Sequence, residues 1–71
     1  MRITSVAQAK NTIKEGMIIN AMSDYEVMVL AVNSNDIECI DVEYSEDTDE
    51  YKKVGKSYYC TFDDFVGNYI E

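Results

Sequence analysis

The period of the hydrophobic positions changes along this chain, and each change marks a new element. Val6, Ala9 and Ile13 fall at i, i+3 and i+7, an apolar stripe that predicts a short N-terminal helix. Ser5 and Gln8 stand at the capping-box spacing before it, Lys10 and Lys14 suit its C-terminal end, and Gly16 is placed to stop it. From Met17 the pattern turns strand-like. Residues 17–22 and 25–32 are apolar and rich in β-branched side chains, with a polar break at Ser23-Asp24. Asn33-Ser34-Asn35-Asp36 reads as a turn, because Asn and Asp tolerate left-handed conformations and cap their own turns.

Residues 37–44 predict a third strand with a flaw in its alternation. Ile37 and Cys39 are apolar on odd positions, whereas Ile40, Val42 and Tyr44 continue on even ones. A bulge or bend near Cys39 reconciles the two, and curled sheets need such bends. An acidic loop and Gly55 follow, then a fourth strand over residues 56–60. Phe62, Phe65, Val66, Tyr69 and Ile70 then lie at the spacing of one buried helix face. Thr61 is placed as N-cap, with Asp63 and Asp64 in the first turn. The expected fold is α+β: a twisted antiparallel sheet of three to four strands, in one form an SH3-like half-barrel, flanked by short N- and C-terminal helices.

Seventy-one residues are expected to make one domain, spanning residues 1–71. A chain of this length buries only about 60% of its unfolded surface, so its core is small. A hydrophobic content of 46% still argues for a folded chain. No apolar segment near Met1 has the length of a secretory signal, and the longest apolar run, residues 27–32, is too short to span a bilayer. The expected compartment is therefore the cytoplasm, where Cys39 and Cys60 remain free thiols; a single bridge between them is the minority alternative.

Charge narrows the picture further. The formal net charge is -8, and eight of the fifteen residues from Asp36 to Glu50 are acidic with no base among them. Such a balance repels phosphates and anionic membranes, so direct nucleic-acid or membrane binding is not expected. It favours a protein partner with a basic surface or cleft.

The catalogue of chemistry is mostly one of exclusions. There is no histidine, the commonest general base and neutral metal ligand. The cysteines lack Cys-x-x-Cys spacing, and there is no glycine-rich phosphate cradle. Asp63 and Asp64 are adjacent but point apart on a helix. The run from Glu46 to Glu50 breaks the EF-hand pattern, because Tyr51 and Lys52 stand where Asp or Asn and then Gly are needed. No catalytic residue, metal ligand or cofactor is expected.

What remains is a binding surface. Asp41 and Glu43 share one strand face about 6.6 Å apart, roughly half the charge density of a phosphate row. Glu46, Asp47, Asp49 and Glu50 supply further carboxylates from the adjoining loop, and Tyr44 and Tyr51 flank them as aromatic anchors. These eight residues are the candidate contacts. In size and charge alone, the chain resembles the inhibitors that phages and mobile elements make against host nucleases, the anti-CRISPR and anti-restriction proteins. That resemblance implies a non-enzymatic protein-binding inhibitor that occupies the basic cleft of a nuclease or other nucleic-acid-binding protein, acting as a monomer or weak homodimer. The alternative is an SH3-like structural or adaptor module that binds a peptide or subunit through a sheet edge.

Overall fold

A computed structural model describes residues 1–20 and 26–71. The expected polar break at Ser23-Asp24, the start of the second strand at Tyr25 and the end of the first at Ala21 and Met22 lie outside the described residues. Helix α1 (Val6–Thr12) begins at Ser5, whose side chain accepts the Gln8 backbone N–H at 3.1 Å. The Gln8 side chain turns back to Thr4, accepting both its N–H and its hydroxyl at 2.6 Å. Ala9 and Ile13 face the core as expected, but Val6, in the first turn, is exposed. It ends at Thr12, well before Gly16, whose N–H instead donates to Val29.

Five strands follow: β1 (Ile18–Asn20), β2 (Glu26–Val32), β3 (Ile37–Ser45), β4 (Glu50–Cys60) and β5 (Tyr69–Ile70). All pairings are antiparallel, and the order across the sheet is β4-β3-β2-β1-β5. The expectation of three to four strands is corrected on two points. The fourth strand starts at Glu50 rather than Lys56, so half of the expected acidic loop is strand. A fifth strand stands where the end of the C-terminal helix was expected.

The break in β3 is present on both of its sides. Against β2, Val29 pairs with Cys39 and Ala31 with Glu38, leaving Leu30 as the extra residue. Against β4, Cys39 pairs with Tyr58 and Asp41 with Val54, so Gly55, Lys56 and Ser57 all stand opposite Ile40. Gly55 takes φ +77, a conformation that costs other residues about 1–2 kcal/mol. These bulges allow the switch in apolar parity that the sequence contains. Ile37 and Cys39 join the main core with Ile3, Ala9, Ile13, Ile19, Val27, Val29, Phe62 and Phe65. Ile40 and Val42 are also buried, on the other parity, beside Met28 and Glu26 of β2.

The C-terminal helix is not formed. Phe62–Phe65 make one 3-10 turn, opened by Asp64 accepting the Thr61 N–H at 2.8 Å. Gly67 then takes φ +97 and donates to Ile3 O at 2.7 Å, while Asn68 O accepts the Ile3 N–H at 2.9 Å. Ile19 pairs with Ile70 and Asn20 with Tyr69 on one side of β5, and Arg2 bridges to Tyr69 on the other. The last residues thus satisfy their backbone groups through distant strands rather than along a helix. Phe62 and Phe65 are buried and Val66 and Ile70 half-buried, but Tyr69 is exposed, as strand alternation requires.

Two measurements check this ending of the chain. Phe65→Ala should cost about 3–5 kcal/mol in a denaturant melt, as expected for a large core side chain. Gly67→Ala should destabilise by about 1–2 kcal/mol, because alanine is strained at this positive φ. Had residue 67 been inside a helix, the same change would have stabilised by roughly 1 kcal/mol, so a gain would contradict the observed turn.

Candidate functional site at the β3–β4 hairpin tip

The tip is built by the last two rungs of the β3–β4 ladder, Tyr44 opposite Tyr51 and Ser45 opposite Glu50. Residues 46–49 make the turn between them. Asp49 adopts φ 55, in the left-handed region where Asp and Asn are enriched because their short polar side chains bond locally. Its carboxylate accepts the Tyr44 hydroxyl, tying the turn to the strand below it. The Tyr44 and Tyr51 rings pack edge to face, with centroids 5.3 Å apart and planes at 62°. Tyr51 in turn donates to Glu26 of β2 at 3.1 Å, with Glu71 as an alternative acceptor at 3.4 Å. Burial first, then the Glu26 hydrogen bond and charge, raises the Tyr51 phenol above its ordinary value, so it stays a neutral donor. The tip is therefore braced through Tyr51 to the middle of the sheet.

Of the eight expected contacts, seven gather here: Glu43, Tyr44, Glu46, Asp47, Asp49, Glu50 and Tyr51. All of these except Tyr51 are exposed. Asp41 stands apart from them. Its half-buried carboxylate accepts the Tyr58 hydroxyl at 2.5 Å, on the parity that faces the core. Glu38 and Asp36, from the same acidic run, are likewise engaged within the fold, with Ser57 at 3.0 Å and Asn33 at 2.7 Å. The sequence reading did not anticipate what β4 brings alongside. Lys52 lies opposite Glu43 and Lys53 opposite Val42, so basic side chains begin immediately below the tip. It also missed Glu26 and Glu71, which are remote in sequence and meet Tyr51 only through strand order.

Among the described residues there is no pocket, and no group of three or more Cys, Asp or Glu side chains is placed to hold a metal ion. No helix of the described residues is long and apolar enough to cross a membrane. Comparison of the chain with protein families, curated proteins and solved structures finds no match. What the arrangement offers chemically is an exposed acidic turn with an exposed aromatic, Tyr44, beside it.

Below the tip, the contact of Asp41 with Tyr58 adjoins the buried thiol of Cys39. Burial chiefly, then its contact with Cys60 and the Asp41 charge, pushes Cys39 from 9.0 up to about 12. Tyr58 is raised from 10.0 by burial and by its bond to Asp41. Both groups keep protons that the unfolded chain releases, so their stabilisation is complete below pH 9.0 and is lost as pH rises toward their folded values. Stability should therefore fall above pH 9.0, by about 1.4 kcal/mol per pH unit for each group ionised only in the unfolded chain. Denaturant midpoints measured from about pH 8 to 11 check this. Tyr58→Phe should lower the starting stability, because Asp41 loses its donor, and should flatten the alkaline slope.

Proposed function

We propose that this chain is a non-catalytic inhibitor that inserts its β3–β4 hairpin tip into a basic cleft of a nucleic-acid-binding protein, of which a nuclease is the leading kind. The observation that carries the reading is the gathering of Glu43, Glu46, Asp47, Asp49 and Glu50, all exposed, around one braced turn. The β3–β4 ladder runs from Ile37 opposite Cys60 to Ser45 opposite Glu50, so the turn ends a long hairpin that would enter a recess tip first. Glu43 of β3 and Glu50 of β4 add one carboxylate from each strand to those of the turn. Tyr44, at 46% exposure, supplies the kind of aromatic that is enriched at contact hot spots. In this reading the protein is of the anti-defence kind made by phages or mobile elements, and it works in the cytoplasm, where such targets act.

The strand order, a four-strand meander whose first strand is paired on its far side by the fifth after a 3-10 turn, favours an SH3-like half-barrel as the scaffold. It also keeps the adaptor reading in play, because β4 is an edge strand of eleven residues that carries Tyr59 at 65% exposure. Against edge pairing stand Lys52, Lys53, Lys56 and the irregularity at Gly55, the features that commonly protect an edge. Salt separates the two readings. Charge-led binding weakens steeply with ionic strength, whereas strand addition does not.

The test is the quadruple variant Glu46→Gln, Asp47→Asn, Asp49→Asn, Glu50→Gln. Asparagine is tolerated at the positive φ of residue 49 and keeps an oxygen for Tyr44, so the turn should survive. Thermal melting should show stability unchanged or slightly raised, since like-charge repulsion is relieved. Titration against partners captured from a bacterial lysate and identified as nucleases or DNA-binding proteins should show binding abolished. Binding at wild-type strength would move the interface to the tyrosines or to β4, and the tip reading would be abandoned.

A further inference from the structure

Cys39 of β3 and Cys60 of β4 place their sulfurs 3.3 Å apart, both as free thiols. The ladder explains the meeting. Cys39 lies opposite Tyr58 and Ile37 opposite Cys60, so the two cysteines are diagonal neighbours that both turn toward the core. They are also the only two cysteines of the chain. A bonded pair sits at about 2.05 Å, so closure needs an approach of about 1.3 Å. Side-chain rotation and the irregular ladder beside Cys39 can absorb that shift. We infer that Cys39 and Cys60 form a reversible dithiol–disulfide site, closed by exchange with a low-molecular-weight disulfide of the glutathione type. This inference stands independently of the hairpin-tip reading.

The two thiols divide the work by exposure. Cys39 is fully buried, whereas Cys60 is half-buried and reachable from solvent. The Cys60 thiolate attacks one sulfur of the small disulfide, breaking its S–S bond and releasing one thiolate, which takes up the proton that Cys60 lost. The Cys39 thiolate then attacks the Cys60 sulfur of the mixed disulfide and expels the second small thiol, which takes the proton from Cys39. Two protein thiols are oxidised and one small disulfide is reduced to two thiols, so atoms and electrons balance. Burial raises both thiols, with Asp64 and Asp41 adding to it at Cys60, so exchange is slow at neutral pH. The bridge joins positions 21 residues apart and pins β3 to β4 at the end of the hairpin remote from its tip.

The experiment treats the reduced chain with oxidised glutathione at about pH 9, where the small thiolate fraction is larger than at neutral pH. It then quenches with iodoacetamide and reads intact mass and non-reducing electrophoresis. The expected product is a monomer lighter by two hydrogens that takes no alkylation and reverts with dithiothreitol. Its melting temperature should rise by on the order of 10 °C, the effect of closing a loop of this size in a small domain. Cys39→Ser should stop at a lasting glutathione adduct on Cys60. Two alkylatable thiols after treatment, a lasting adduct on the wild-type chain, cross-links between chains or an unchanged melting temperature would each overturn the inference. An unmodified Cys39→Ser variant would do the same, because Cys60 would then be out of reach.

Discussion

Strand β3 buries residues on both of its faces in succession, and the rest of the sheet is arranged around that requirement. Ile37 and Cys39 belong to the core beneath α1 and the 3-10 turn, while Ile40 and Val42 are buried on the opposite parity. Residues of both parities of β3 are buried, and the ladder is irregular on each side of it. Both neighbours yield. Leu30 is extra in β2, and Gly55 to Ser57 are extra in β4. Bulges bend the strands that carry them and increase local twist. The two halves of the β3–β4 hairpin consequently serve different ends. The half holding Cys39, Tyr58 and Cys60 packs on the core, and the half running from Asp41 to Ser45 leads away to the acidic turn.

This constraint was legible in the sequence because a change of parity is a local signal. So were the turn at Asn33, whose N–H and side-chain amide both donate to Asp36, and the start of α1 at Ser5. The C-terminal segment was not legible, for a physical reason. The spacing of Phe62, Phe65, Val66, Tyr69 and Ile70 fits a helix as well as it fits a 3-10 turn followed by a strand. The choice was made by Ile3, which lends both its N–H and its C=O to residues 67–68, and by β1, which pairs with β5. Partners that far away in the chain leave no periodicity to read. Glu50 to Val54 misled differently. Its charges suggested a loop, yet the rungs of Glu43 with Lys52 and Tyr44 with Tyr51 make it a strand.

For the candidate surface, the sequence showed where acidic residues crowd but not which of them are free. Asp36, Glu38 and Asp41 look equivalent to Glu46 and Asp47 in a one-dimensional count. In the fold, the first three are half-buried and accept hydrogen bonds from Asn33, Ser57 and Tyr58, whereas Glu46 and Asp47 are exposed. The surface is thus smaller than the run that suggested it and confined to the end of the hairpin. Its basic neighbours also come from the next strand, so the field of the tip falls off quickly toward Lys52 and Lys53.

Five of the fourteen acidic residues gather at the tip of a chain whose net charge is -8 and whose core is small. Exposed charges more than about 8–10 Å apart are largely screened at physiological salt. Repulsion within the turn is opposed by backbone pairing, the edge-to-face tyrosines and the bond from Tyr44 to Asp49. The core is packed by residues that carry no charge. Tyr51 links the two regions through Glu26 and Glu71, holding the tip in place by neutral donation rather than by added cations. A brace of that kind leaves the negative field of the turn intact. Lysine in the same position would anchor the hairpin equally well and cancel part of the charge that distinguishes it.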